Sequence, residues 1–180
     1  QQLRTRHVLV EPIVYAGRGV VHHDRAAAYQ GLTLLQGLFP EGVELRLLDM
    51  EGTIVCRWPV RFFDIWPEPE HVLPDTVPAT NLNYHTQGMW LLRDGSLIIN
   101  VSSYGIVKLD NAGNVLWTVD RATHHSVTPN PDGSFWVPIR SHPEDIPEEL
   151  KLAGIGNKPA RYLDSYEDRL IRISASGVIG

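Results

Sequence analysis

The chain has 180 residues, of which 43% are hydrophobic and 21% are charged, so it has a globular composition and the length of at most one ordinary domain. Its net charge of −5 argues against a nucleic-acid or anionic-membrane partner, because phosphate binding depends on clustered Lys and Arg. No apolar run approaches the ~20 residues that span a bilayer. The single cysteine, Cys56, excludes an intramolecular disulfide and a cysteine-only metal site.

The chain begins with an N-terminal extension, 1–30, and from residue 31 onward its pattern is that of β-structure. Apolar stretches in the segment 31–60 are separated by Gly, Pro and Glu, which predicts short strands joined by turns. These strands are predicted near 32–35, 43–49 and 53–60. The next segment, 64–82, contains four prolines and is predicted to be a crossing loop.

The segment 84–120 has the clearest strand pattern in the chain. Its apolar and β-branched stretches are separated by short polar links, which predicts four antiparallel strands in sequence, a meander. The four strands are predicted near 85–92, 96–102, 105–110 and 114–120.

The segment 124–180 begins as another unit of this kind and is then interrupted. Its strands are predicted near 125–130, 134–140 and 169–174. An inserted segment, 141–167, separates the second strand from the third. Within it, residues 144–154 have an Asp cap, a Pro in the first turn and a closing Gly, which predicts one short helix.

Two phrases recur along the chain. An Asp-Gly-Ser turn occurs twice, and Gly133 minus Gly95 gives a spacing of 38 residues. A longer turn phrase with an Asp or Ser three residues before Gly occurs three times, at Gly52, Gly113 and Gly177, with spacings of 61 and 64 residues. Four-stranded meanders repeated at such intervals indicate a β-propeller.

The predicted fold class is therefore all-β, with four-stranded antiparallel blades. Closure of a propeller takes four to eight blades, whereas this chain accommodates about two to three. We accordingly expect an open or partial propeller formed by residues 31–180.

Histidines precede the Asp-Gly-Ser turn in both copies. His124 and His125 are adjacent, and superposition of the two turns places His85 opposite Thr123, one residue before the pair. A neutral imidazole near pH 7 serves as nucleophile and as proton carrier. Arg121 precedes the pair and Arg140 ends the following strand, and a guanidinium offers an oxyanion two parallel hydrogen bonds. The stretch therefore predicts an anion site.

Four stretches carry a resemblance to a known family: Ala28-Tyr-Gln-Gly-Leu-Thr-Leu-Leu35, Leu47-Leu-Asp-Met-Glu-Gly-Thr-Ile-Val-Cys-Arg-Trp58, Asn83-Tyr-His85 and Thr123-His-His-Ser-Val127. They resemble the opening blades of bacterial arylsulfotransferase-like proteins, over about residues 17–180. The histidine pairs before the turns make the resemblance more specific than the Asp-x-x-Gly turns, which many propellers share.

The resemblance implies a six-bladed propeller that moves a sulfuryl group from an aryl sulfate to a phenol, with neither nucleotide nor cofactor. A channel histidine is transiently sulfated, and other His and Arg side chains bind the sulfate oxygens. Further site residues fall in later blades, so this chain holds part of the site. The implied catalytic residues are His85, His124 and His125, and the implied substrate-binding residues are Tyr84, Arg121 and Arg140.

This assignment carries a geometric expectation. The first strand of each blade lies nearest the propeller axis, so His85 and one residue of the pair should lie within about 10 Å of each other, with an Arg in reach of a bound sulfate. Adjacent residues of a regular strand point to opposite faces. We expect His125 to face the channel and His124 to support it.

Alternatives stay open for these residues. The three histidines also fit a structural role, hydrogen-bonded to loop carbonyls, and the two arginines fit edge ion pairs with Asp120 or Glu144. No carboxylates face the histidine stretches in the way that usually completes a metal site, so no metal is predicted. The alternative function is a non-catalytic propeller that binds a small anion or a protein.

The expected partners are small aryl sulfates and phenols, with association through exposed blade edges as a further consequence of an open propeller. The chain begins without Met and shows no signal sequence, which suggests that a segment has been removed upstream. The expected location is periplasmic or otherwise extracytoplasmic, with membrane anchoring through that removed segment as one form.

Overall fold

The computed structural model describes residues 14, 17, 19–141, 147–150 and 168–180. Among these residues it contains ten β-strands, one short α-helix and one 3₁₀ turn. All strand pairs within its sheets are antiparallel, which confirms the all-β prediction. The chain divides into two compact units, residues 1–85 with 111–114 and residues 86–110 with 115–180.

The first unit contains a three-stranded sheet. Its strands are β1 (Thr33–Phe39), β2 (Gly42–Leu48) and β3 (Ile54–Pro59), in the spatial order β1-β2-β3. The turn between β2 and β3 is closed by the Asp49 carboxylate, which accepts a hydrogen bond from the Thr53 backbone N–H at 2.7 Å. An Asp at the first position of a turn bonds the backbone ahead of it in this way, so the predicted hairpin forms where its turn residues indicate.

An aromatic cluster follows this sheet in the first unit. A short helix, α1 (Phe62–Ile65), overlaps the start of the segment 64–82, which the sequence predicts to be a crossing loop. The ring at its N-terminal end lies 5.3 Å from Trp66 and 5.7 Å from Tyr84, measured between centroids. Trp58 and Tyr84 are also buried. The helix arises because burying these rings compensates for its short length, a tertiary effect that local sequence does not reveal.

The second unit opens with a four-stranded meander. Its strands are β4 (Thr86–Leu91), β5 (Leu97–Val101), β6 (Gly105–Leu109) and β7 (Val115–Val119), in the order β4-β5-β6-β7. Every residue of β5 is buried, as are all but one of β6. The two central strands are therefore buried along almost their whole length, in keeping with their largely apolar sequences.

The third sheet belongs to the same unit. Its strands are β8 (Thr128–Pro129), β9 (Phe135–Arg140) and β10 (Asp168–Ile173), in the order β10-β9-β8. Beyond β10 the chain turns at Gly177, and Ile179 pairs with Ile173 in an antiparallel bridge. The third copy of the turn phrase is therefore a turn whose two flanking segments pair with each other.

One hydrophobic core joins the two sheets of the second unit. Buried side chains of both sheets form it, each contributing about 1.5–3 kcal/mol relative to exposure. The core residues are Ile98, Ile106, Val119, Val127, Phe135, Val137 and Ile173.

The predicted strands are confirmed throughout the described residues except at 125–130, where only Thr128–Pro129 is regular strand. Of the predicted helix at 144–154, residues 147–150 are described and contain a 3₁₀ turn at Glu148–Leu150, while 144–146 and 151–154 lie outside the described residues. Three separate antiparallel sheets are present, and no closed ring is detected among the described residues. The propeller itself stays a prediction.

Apolar side chains are exposed on the sheet edges, as the open arrangement predicts. Leu35 and Leu38 on β1 are 42% and 41% exposed, and Leu170 on β10 is 67% exposed. Both strands lie at the edge of their own sheet. Association through these edges stays a prediction.

Candidate functional site

The histidine pair lies in a bulge that precedes β8. Thr123 pairs with Ile139 and Thr128 pairs with Trp136, so four residues on one side, 124–127, face two on the other, 137–138. The excess residues bend the chain out of a regular strand. Because of this bulge, strict alternation of side chains does not apply to the pair.

His124 points inward. Its side chain is 3% exposed, and its Nε2 lies 3.0 Å from Oδ1 of Asp168 at the start of β10. A carboxylate can only accept a hydrogen bond, so Nε2 carries the proton and Nδ1 carries the lone pair. The structure therefore supplies an acid–base pair that the sequence prediction did not include.

Burial is the largest effect on the pKa of His124, and it lowers that pKa from its ordinary value of 6.5. The negative charge of Asp168 acts in the opposite direction, whereas the neighbouring His125 and Arg140 lower the pKa further. The imidazole of His124 is consequently neutral at pH 7, the form in which it accepts a proton.

The Nδ1 atom of His124 is buried and has no hydrogen-bond partner among the described residues. Leaving a buried acceptor unpaired costs about 1–3 kcal/mol. A group that donates a hydrogen bond to Nδ1 would recover that free energy. Because Nδ1 is buried, such a group reaches it only when neighbouring atoms move aside.

His125 is exposed and stands beside His124. The two rings meet edge to face, with 4.8 Å between their centroids and an interplanar angle of 86°. The backbone of His125 has a φ of 55°, in the left-handed region that residues other than Gly rarely adopt. His124 is thus the buried residue of the pair and His125 faces solvent, because the bulge turns it outward. The predicted division, with His125 facing the channel and His124 supporting it, stays a prediction.

Arg140 belongs to the same site. It is the register partner of Asp168 across β9 and β10, and its charge is felt at His124. Arg121 is exposed on the link that follows β7. Of the two predicted arginines, Arg140 is therefore the one that the structure brings to the histidine pair.

Tyr84 and His85 belong to the first unit, and the histidine pair belongs to the second. Tyr84 is 3% exposed, and its hydroxyl donates a hydrogen bond to the Val60 carbonyl. Burial raises its pKa. These contacts give Tyr84 a structural role in the core, which explains its presence without substrate binding. His85 is exposed, and its predicted approach to the pair stays a prediction.

Asp168 is the site residue that the sequence did not indicate. It lies 44 residues after His124, beyond the inserted segment 141–167. No local pattern connects the two positions, because the register of β9 with β10 brings them together. Among the described residues, no group of three or more His, Cys, Asp or Glu side chains is arranged to hold a metal ion.

A scan against protein-family models gives no match for this chain, and a search of curated proteins gives no significant match. The resemblance to arylsulfotransferase-like proteins is accordingly untested by these comparisons. Within the described residues, no helix has both the length and the apolar character needed to cross a membrane.

Proposed function

We propose that this protein takes part in sulfuryl transfer from an aryl sulfate to a phenol, with this chain supplying part of the site. The observation that carries the proposal is the pair formed by buried His124 and exposed Asp168, with the exposed ring of His125 packed edge to face against His124. A fixed, neutral imidazole next to a second, accessible imidazole suits a reaction that needs a nucleophile and a separate base.

In the first step, a ring nitrogen of His125 attacks the sulfur of the aryl sulfate. The nitrogen–sulfur bond forms, and the sulfur–oxygen bond to the aryl group breaks with its electron pair leaving on the phenolate. The remaining N–H of His125 passes its proton to that phenolate, so a neutral phenol departs. In this proposal Arg140, whose charge acts on His124, stabilises the charge on the sulfuryl oxygens.

In the second step, the acceptor phenol gives its O–H proton to Nδ1 of His124. Its oxygen attacks the sulfur, and the nitrogen–sulfur bond breaks with the electron pair returning to the His125 ring. His125 then takes up the proton that His124 received. Throughout, Asp168 accepts the hydrogen bond from the Nε2–H of His124, and its negative charge stabilises the transient imidazolium of His124. Because Nδ1 is buried, the acceptor reaches it only when neighbouring atoms move aside.

The alternative is a non-catalytic module in which the same pair has a structural role. The observation that favours it is the hydrogen bond from the buried His124 in the bulge to Asp168 at the start of β10, since this bond helps to hold the third sheet together. An arginine beside two histidines would then bind a small anion without transferring it.

The test is made on the full-length protein, because this chain supplies part of the site. It uses 4-nitrophenyl sulfate as donor and phenol as acceptor, with nitrophenolate release followed by absorbance and phenyl sulfate followed by mass spectrometry. His125→Ala is expected to abolish transfer, and Asp168→Asn to lower kcat by about 100-fold or more through loss of the fixed tautomer. The exposed His22 is a matched control, and His22→Ala should transfer at the parent rate. Parent-level turnover in both site variants would overturn the proposal, and anion binding without any turnover in the parent would establish the alternative.

A further inference from the structure

The backbone of His125 is held by two residues of the neighbouring sheet in the same unit. Its N–H donates a hydrogen bond to the side-chain oxygen of Gln87 at 2.5 Å, and its carbonyl accepts one from the Gly88 N–H at 2.6 Å. Both partners lie where the register of β4 with β5 shifts, between Thr86 and Met89. At this irregularity the Gly88 N–H bonds the bulge, and the side chain of Gln87 adds a second hydrogen bond to it.

Gly88 approaches the bulge too closely for any side chain. A Cβ atom placed on it would overlap the carbonyl oxygen of His125 and would lie 2.6 Å from the backbone nitrogen of Val127 and 2.8 Å from the carbonyl carbon of Ser126. All three atoms are backbone, so they can move only if the bulge moves. Glycine is therefore required here by contact distance.

Two buried polar residues, Asn100 and Thr123, also hold the bulge. Asn100 is fully buried and donates a hydrogen bond to the His125 carbonyl at 3.4 Å, while its oxygen accepts one from the Thr123 hydroxyl at 3.0 Å. The left-handed residue His125 is thus fixed on both sides. Such a conformation costs on the order of 1–3 kcal/mol and persists only where its surroundings determine it.

We infer that Gly88 and Gln87 are positioning residues that set the bulge, and through it direct His124 inward to Asp168 and His125 outward to solvent. Gly88 sets the distance between the two strands, and Gln87 fixes the peptide that joins the two histidines. The inference deepens the proposed function, on whose site it rests, but the positioning can be measured whether or not transfer occurs.

The test follows the imidazole signals of the full chain by NMR as a function of pH. Gly88→Ala and Gln87→Met, which removes the acceptor at similar length, are compared with the parent. Displacing the bulge should reduce the burial of His124, so its titration midpoint is expected to move upward in both variants, since burial is the largest cause of its lowered pKa. The charged neighbours Asp168, His125 and Arg140 are unchanged in sequence.

The matched control is Gly37→Ala. Gly37 also lies in a strand, but the nearest atoms to an added Cβ there are ring carbons of Phe39 at 3.5 Å, an ordinary contact. It should leave the His124 titration where it is in the parent. If Gly88→Ala fails to give a folded spectrum, Gln87→Met decides the question. Parent-like His124 titration in the folded variants would overturn the inference, even if sulfuryl transfer were lost.

Discussion

Replacing His124 by Gln should remove a specific part of the pH dependence of stability. Glutamine keeps a donor that can reach Asp168, but it does not titrate. In the parent, burial lowers the pKa of His124, so the folded protein resists taking up a proton that the unfolded chain accepts readily. The parent should therefore lose stability relative to His124→Gln as the pH falls.

The sign and size of the effect come from proton linkage. Above the ordinary histidine pKa of 6.5, neither state of the parent binds the proton at His124, and the difference in unfolding free energy is constant. Below 6.5, the unfolded chain binds it first, so the parent loses up to about 1.4 kcal/mol per pH unit until the folded-state pKa is reached.

Urea unfolding of the parent and of His124→Gln, measured at intervals from about pH 8 to pH 5, gives the difference directly. Subtracting the two curves cancels the other titrating groups, which the two proteins share. A difference that stays flat over this range would refute the burial argument. If the unfolding free energy of the parent instead rises relative to that of His124→Gln as the pH falls, the charge of Asp168 outweighs burial and the folded-state pKa of His124 is raised.

Two further predictions concern the second unit. Phe135 is 1% exposed, so Phe135→Ala should lower the free energy of unfolding in urea by about 3–5 kcal/mol. Trp136, whose side chain is 41% exposed, is the control, and Trp136→Ala should lower that free energy less. Equal losses in the two variants would contradict the described core. Gly177 and Gly133 both have a left-handed φ, but only at Gly177 would an added Cβ meet the Trp117 ring, at 2.8 Å. Gly177→Ala should therefore destabilise more than Gly133→Ala, which carries the backbone strain alone, and should alter tryptophan fluorescence; equal midpoints and spectra would show that the ring contact is absent.

Local sequence was sufficient to predict the hairpins, because the residues that signal their turns also make the hydrogen bonds that close them. Asp94 and Asp132 each bond the backbone of the Ser two residues later, at 2.9 and 3.0 Å. Turn chemistry of this kind acts within four residues, so it is written in contiguous sequence. The alternating pattern around such turns then placed the strands to within a few residues.

The candidate site was only partly predictable, since its geometry depends on pairings between distant strands. His124, His125 and Arg140 were identified from residue type and position. Asp168 was not, because the β9–β10 register that delivers it spans the insertion at 141–167. The roles within the pair also depended on a bulge, which no periodicity reveals because a bulge is a local departure from the period.

The 38-residue repeat allows the bulge at the histidine pair to be compared with the equivalent positions of the preceding sheet. Subtracting 38 from 124 and 125 gives Thr86 and Gln87, which are the residues at the irregularity of β4. Both sheets of the second unit therefore depart from regular pairing at the same point of the repeat, although the side chains there differ. In one sheet those positions carry Thr and Gln, and Gln87 holds the next sheet's backbone. In the other they carry the two imidazoles. The repeat thus accounts for the position of the bulge, and the presence of His where the first copy has Thr and Gln accounts for the His124–Asp168 pair, so the proposed chemistry belongs to one copy.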